Sequence, residues 1–412
     1  MALLSEAPRA AAKPRTPPHI LTLVLLVGVS TLSMNLFLPS LPSMAAWFAT
    51  DYATVQLAVG LYLGMNAVLQ LVVGPLSDRY GRRPVILWGI ALFVLATLGC
   101  LWAPDVETFL AFRMAQAAVV VGMVLSRAIV RDLYPQDKAA SMLGYVTMGM
   151  SVVPMLGPAL GGVLEAQYGW QSNFWLLVLC GLGMLALAWR DVGETAPTVT
   201  GAAPSGGFRD QVRQYPELLT SPRFWGYCLA SAAASGAFFA YLGGAPYVGS
   251  AIYGLSPAEL GVYFGAPALG YFAGNFLSGR FSARIGVDRM VLWGALLQVA
   301  GLLTLLALTA AGLATQAWVF FAFIVFVGLG NGMVIPNATA GMLSVRPHLA
   351  GTASGLGGAM MLGGGAALST RAGPILEGSA TPLPLVGLMV ASGLVSIVAI
   401  TLTIRRNRRL AG

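Results

Sequence analysis

Few side chains in this sequence can do chemistry, because it is 57% hydrophobic and only 9% charged. The ones that can are clustered. The densest block reads Gly74-Pro75-Leu76-Ser77-Asp78-Arg79-Tyr80-Gly81-Arg82-Arg83-Pro84, with apolar runs on both sides. Asp78 falls at the end of the incoming helix, where the helix dipole disfavours a carboxylate unless cations answer it. Arg79, Arg82 and Arg83 supply cations. Gly81 permits a positive φ and Pro84 stops a helix from running through, so the block predicts a short water-exposed turn. On spacing alone, the same cations read equally well as a loop that only fixes topology.

Three further constellations lie inside or beside apolar runs. Arg113 is about two turns inside one of them, with Gln116 one turn on. A cation at that depth is costly and usually functional, although a long stem also lets arginine snorkel to an interface. Arg127, Arg131 and Asp132 close the same stretch and predict an ion pair at a membrane rim. Pro154-Met155-Leu156-Gly157-Pro158-Ala159-Leu160-Gly161-Gly162 would break a soluble helix. In a bundle, neighbours satisfy the freed carbonyls, and glycines let helices approach closely.

Weaker signals complete the set. Tyr62, Asn66 and Gln70 share one helix face, and Phe238, Phe239, Tyr241, Asn331 and Asn337 lie in later runs. Met148 and Met150 add soft surface. Singly, each reads more readily as helix–helix glue. Together with Asn35, whose amide can bond a neutral polar substrate, they predict a mixed aromatic and amide cavity with one cation, Arg113. Gly261, Gly265, Gly270 and Gly274 read as packing.

The elements that carry these residues must be membrane helices. A soluble domain has roughly 25% charged residues. Apolar runs at 19–38, 53–76, 84–103, 106–131, 139–163, 170–189, 222–248, 257–279, 288–312, 315–338, 349–370 and 383–404 predict twelve spans, each near the length a bilayer requires. The fold expected is an all-α membrane protein of two pseudo-symmetric six-helix bundles. Residues 19–189 and 222–404 form the bundles, and 190–221 the linker, part of which, 208–219, suits an amphipathic surface helix. Residues 1–18 read as a disordered tail and 405–412 as a basic one. Apart from Arg113, Arg127 and Arg371, the 23 Lys and Arg fall in the tails and in alternate loops. Both termini are therefore expected on the cytoplasmic side of the inner membrane. The net charge of +8 then reports cytoplasmic arginine beside anionic lipid, and no nucleic-acid partner is expected.

Cys100, Cys180 and Cys228 lie in apolar runs and predict no disulfide; His19 and His348 stand alone and predict no metal site. No G-x-S-x-G, H-E-x-x-H, Cys/His cluster or P-loop occurs, which disfavours a membrane enzyme and an ATP-driven pump.

The pattern G-x-L-x-D-R-x-G-R-R, carried by Gly74, Asp78, Arg79, Gly81, Arg82 and Arg83, resembles the loop between helices 2 and 3 of the major facilitator superfamily. The resemblance implies a cytoplasmic gate. Pro154, Gly157, Pro158, Gly161 and Gly162 resemble the superfamily's antiporter motif, which implies export and a periplasmic seal. Arg113 and Gln116 match its R-x-x-Q motif, implying a part in proton movement and substrate binding. The string Arg127-Ala128-Ile129-Val130-Arg131-Asp132 is similar to the bicyclomycin/chloramphenicol-resistance branch, as is the end of the first span. There, Asn35 stands where the branch's usual string D-M-Y-L-P begins with an aspartate, its usual proton carrier.

The resemblance implies a drug:proton antiporter for phenicol-type or other amphipathic small molecules, without cofactor, surrounded by lipid and acting as a monomer. An asparagine cannot titrate, and the 15 acidic residues lie in loops or near span ends. Three readings stay open: coupling through a rim carboxylate such as Asp78 or Asp132, with Arg113 as a further candidate; no coupling; or an altered residue at position 35. A metabolite exporter, an uncoupled facilitator and a non-transporting sensor are the alternatives.

Overall fold

The computed structural model describes residues 18–133, 153, 156–195, 216–346 and 349–411, with backbone alone for Arg131, 350–352, 410 and 411. Every regular element among them is helical. Helices α1 (Ile20–Asn35), α2 (Leu41–Trp47), α3 (Tyr52–Tyr80), α4 (Arg82–Leu101), α5 (Val106–Gln116), α6 (Val120–Leu133), α7 (156–168) and α8 (Gln171–Asp191) form the first group. The second is α9 (Pro222–Tyr247), α10 (Pro257–Tyr263), α11 (Ala266–Ile285), α12 (Val287–Ala310), α13 (Ala317–Val345), α14 (Ala350–Leu376) and α15 (Leu383–Ala411).

Nine helical segments among the described residues are long and apolar enough to cross a membrane. The other expected spans differ for local reasons. The fifth run lies partly outside the described residues. The eighth is broken at Phe264-Gly265 into α10 and α11, because Pro267 in the first turn of α11 has no N–H to continue the ladder. The eleventh, α14, has the length, but its glycines dilute its hydropathy. The first run continues past Asn35 into a 3₁₀ turn at Leu38–Ser40 and α2, each begun by a proline. The fourth is α5 and α6 joined by a 3₁₀ turn at Ala117–Val119. Of the expected surface helix 208–219, residues 216–219 are described, and they are helical.

The chain shows its repeat at two turns. Gly81, with φ of 97°, is the single residue between α3 and α4. Gly286, with φ of 89°, is the single residue between α11 and α12. Only glycine takes these angles without strain. Both turns lie at one end of the molecule, with Arg79, Arg83, Arg190, Arg284 and Arg405; we call it the basic end. The opposite, distal end carries Asp51 and Asp105, which cap α3 and α5 by accepting from Thr54 N–H at 2.6 Å and Thr108 N–H at 2.7 Å. Those bonds hold both carboxyls below their ordinary values.

Large apolar side chains such as Leu95, Leu179, Phe272 and Val398 point outward, which suits lipid. Exposed tryptophans mark two levels, Trp88, Trp189 and Trp293 toward the basic end and Trp47, Trp102 and Trp318 toward the distal end.

The two groups meet most closely at the distal end. α3 lies along α14. There Tyr52 Oη donates to Gly243 O at 2.7 Å, Gln56 Nε2 donates to Ser369 O, and Gly373 leaves room for Ala53. α7 meets α10 through glycine: a methyl at Gly162 would collide with Pro257 O, and one at Gly261 with Pro158 O. Without a hydrophobic drive between helices in lipid, such close approach is what association depends on.

Gly162→Val should therefore push α7 off α10 backbone that cannot yield. Spin labels across the distal end should report a longer separation than in the unaltered chain, with secondary structure unchanged by circular dichroism. An unchanged separation would show that the contact does not hold this end shut.

Candidate functional site

A cavity of about 370 Å³ lies between the two groups, on the basic side of the distal contacts. α1, α3 and α6 line it from one group, and α9, α11, α13 and α14 from the other. Asn35, Tyr62, Asn66 and Gln70 form one wall. Their amides are partly committed: Asn35 Nδ2 donates to Thr31 O at 2.8 Å, and Asn66 Nδ2 to Tyr62 O at 3.3 Å. Opposite stand Phe238, Phe239, Phe264 and Tyr271, an aromatic wall. Met34, Met123 and Met361 fill between them. Two polar atoms at the cavity, Ser235 Oγ and Asn331 Oδ1, are buried without a hydrogen-bond partner among the described residues. Among the described residues, the charged side chain in the lining is Arg127.

The sequence-predicted cavity residues divide. Asn35, Tyr62 and Asn66 line it. Tyr241 lies behind the wall, fully buried, its ring 6.3 Å from Phe238 and 5.3 Å from Phe264. Asn337 bonds α13 to α11 through Ser278 Oγ at 2.7 Å and does not line the cavity. Met150 and Pro154 lie outside the described residues. Arg113 and Gln116 are fully buried and do not reach the cavity either. Arg127, expected at the rim, does. What signalled it in the sequence is its place one turn before Arg131 and Asp132, on the span side.

Arg113 is held by π faces and neutral oxygens. Its guanidinium carbon sits 4.3 Å from the Phe37 ring centre and 4.0 Å from that of Tyr62. It donates to Ser33 O at 2.9 Å and to Gln116 Oε1, and Gln116 Nε2 donates in turn to Thr97 Oγ1 at 2.8 Å. Cation–π contacts gain strength where water is excluded. Tyr62 separates this arginine from the cavity, so a substrate would feel it through the ring.

At the basic end, Arg82 is the hub. Its Nη1 pairs with Asp78 Oδ1 at 2.6 Å and donates to Ser77 Oγ, and its Nε pairs with Asp132 Oδ2 at 3.0 Å. Glu194, from the stretch after α8, accepts from the backbone N–H of Arg82 at 2.8 Å and of Arg83 at 3.3 Å. Its carboxylate also fills the space that a side chain at Gly81 would need. Arg83 turns away to donate to Trp189 O at 3.0 Å, and Arg79 lies over the Tyr80 ring. Gly74 has open space around its Cα. These contacts stay within residues 77–194. Sequence reasoning missed Glu194, because nothing in a linker's composition says which carboxylate folds back onto a helix start.

The small-residue block faces two ways. Gly157 and Gly161 meet α1 and Leu36, while Pro158 and Gly162 meet α10. One turn on, Glu165 is buried against Ser43, whose hydroxyl it meets through Oε1.

Against known proteins, residues 23–370 match the model of the Major Facilitator Superfamily. The chain is 32% identical to Multidrug resistance protein D of Escherichia coli over 86% of its own length and 88% of that protein's. It is 32% identical to a Chloramphenicol resistance protein of Pseudomonas aeruginosa over 81% and 79%. Among solved structures, a bacterial homologue of the human lysosomal transporter Spinster, inward-facing and occupied, superposes with a TM-score of 0.74 at 18% identity, covering 96% of this chain and 98% of that one.

Two substitutions separate the roles of the basic end. Arg82→Gln leaves Asp132, already largely buried, without its cation; losing one partner of a buried pair costs about 3–5 kcal/mol, and the melting temperature in detergent should fall. Asp78 is more exposed, at 38%, so Asp78→Asn should leave folding intact yet cripple transport. Normal efflux by Asp78→Asn would reduce the block to a topology signal.

Proposed function

This chain belongs to the Major Facilitator Superfamily, and on that premise we propose that it is an exporter of amphipathic drugs that works by alternating access. The observation that carries the reading is the cavity between the two groups of helices, closed distally and lined from both. Its relatives' names, multidrug and chloramphenicol resistance, suggest the cargo. No carboxylate is among the described cavity residues, and the run 139–163 contains no charged residue at all. Amides, hydroxyls and aromatic rings suit a neutral amphiphile of phenicol type, and methionines suit cargo of varied shape.

The cycle is a rocking of residues 19–189 against 222–404, with the basic end cytoplasmic, both termini with it, and the protein in the inner membrane as a monomer. We read this state as open toward the cytoplasm: the distal glycine contacts are made, and among the described residues nothing lies within 4 Å of where a side chain at Gly74 would begin. The chain needs no cofactor and performs no chemical conversion; inward proton movement drives export. A ligand shifts the two states only through differential affinity, so the proton must bind one state better than the other. Asp78 and Asp132 are both paired with Arg82 in this state, which makes them part of the basic gate. Arg113, sealed behind Tyr62, acts by setting the ring's position and field.

Purified protein in liposomes with an imposed pH gradient should accumulate chloramphenicol on the acid side, and a protonophore should abolish the accumulation. Equilibration without accumulation would instead mark an uncoupled facilitator. Asn35→Asp places a titrating group in the cavity wall and should make drug affinity depend on pH where the unaltered wall does not. An affinity that ignores pH in this variant would remove position 35 from the coupling route.

A further inference from the structure

We propose that Glu165 is a proton-binding site of the distal seal, protonated while the seal is closed and ionised when the two halves part there. The proposal rests on the alternating-access reading above.

The first argument is a count of hydrogens. Ser43 Oγ meets Glu165 Oε1 and also lies 2.9 Å from Ser40 O. A hydroxyl has one hydrogen, and a backbone carbonyl and an ionised carboxylate only accept. With Glu165 ionised, one of the two acceptors goes without a hydrogen from Ser43. With Glu165 protonated, the carboxyl donates to Ser43 Oγ, Ser43 donates to Ser40 O, and both are served.

The second argument is the surroundings. Glu165 lies two residues past the fifth apolar run and is 7% exposed. Among the described residues, its Oε2 has no hydrogen-bond partner, and Asn173 Oδ1 and Trp170 Nε1 nearby in the fold are likewise buried without one. Asn173 Nδ2 donates to Ser40 Oγ at 2.9 Å, which ties these groups into one knot. A buried carboxylate is costly unless paired. The 3₁₀ turn and α2, residues 38–47, carry no titratable side chain, and neither do α1 or the first turns of α8. On α10, Glu259 is committed to the Ser256 cap, and Tyr263 stacks on Phe321. On α7 itself there is Tyr168, at 72% exposure. Among the described residues, no cation acts on the carboxyl. Burial pushes it above its ordinary value, against the smaller opposing effect of hydrogen bonds from Ser40 and Ser43.

The third argument is the lid. Gly162, three residues before Glu165, abuts Pro257 and Ala258 of the other half, and the 3₁₀ turn that carries Ser40 packs on α10. The C-terminal half therefore roofs the knot. When it lifts, water reaches the carboxyl and its proton affinity falls to the ordinary level.

The sign follows. The closed seal binds the proton more tightly, so acid outside favours closure, and closure loses that support as pH rises through the closed-state value. External acid thus drives the emptied carrier back to its cytoplasm-facing state. This places a carboxyl where the cavity has none.

The test uses the full chain with Cys100, Cys180 and Cys228 replaced by alanine and spin labels at Gln167 and Ala251, exposed positions on the distal ends of the two halves. In liposomes, the inter-label distance should shift from long to short as pH falls from roughly 8 to 5.5, spanning the range a raised carboxyl can reach. Glu165→Gln should stay short at both. Ser43→Ala removes the hydroxyl that the carboxyl meets and should move the midpoint by about one pH unit, a tenfold change in proton affinity. Chloramphenicol counterflow is measured on the same samples. A Glu165→Gln protein that follows pH as the unaltered seal does, or a Ser43→Ala midpoint that does not move, would overturn the proposal. Absent counterflow with Glu165 in place would instead sink the carrier reading.

Discussion

Lipid gives helices no hydrophobic reason to leave it, so this fold depends on how closely two backbones can approach. The contact between α7 and α10 is built on that limit. Gly162 lies against Pro257 O, and Gly261 against Pro158 O, each in space that no side chain could share. The same logic runs down α3 and α14, where Gly60 lies against Thr370 and Gly64 against Ala366. Dispersion and a few buried hydrogen bonds hold these faces, and both terms fade quickly with distance. A seal made this way has little middle ground between shut and parted, which suits a protein that must rock between two states.

Charge is spent sparingly around that seal, and each buried ionisable group has a distinct solution. Arg82 is answered by two carboxylates at the basic end. Arg113, in the apolar interior, is answered by two aromatic faces and neutral oxygens. All of these partners lie within the first half, so it is a feature of that half alone. The basic-end cluster is different in kind, because Asp78 is partly open to water. Between them lies a cavity whose polarity comes from amides, hydroxyls and the Arg127 guanidinium. Its aromatic wall and methionines select by shape and stacking.

The carboxylates after α8 show how one half is tied together at its basic end. Asp191 accepts from Thr22 Oγ1 at 2.5 Å and from His19 N–H at 2.9 Å, at the start of α1. Glu194 does the same at the start of α4. Each anion sits at a helix N-terminus, where the dipole and unpaired N–H groups favour it. In the other half, Asp288 near the start of α12 accepts from Tyr227 Oη at 2.5 Å and from Asn407 Nδ2 at 2.9 Å, a clasp built from side chains alone.

The sequence by itself determined the class of protein, the helices and the family motifs. Span length, charge density and arginine placement follow from the bilayer, which acts on each segment separately, so they can be read one segment at a time. The turn at Gly81 was legible for the same reason, since a positive φ is a local demand. Tertiary structure alone decided which side chains meet. Arg113 and Arg127 stand fourteen positions apart in one apolar stretch, the first expected at the cavity and the second at the rim; packing turned the first into a sealed π sandwich and brought the second to the cavity. Asn337 and Tyr241 were placed at the cavity by residue type, but the rotation of a helix, set by its neighbours, put them behind the wall. Glu165 gave no signal, because burial of a carboxyl at a span end depends on what the other half lays over it. Contacts between segments distant in sequence carry no local mark, and in this chain those contacts make the cavity and both of its ends.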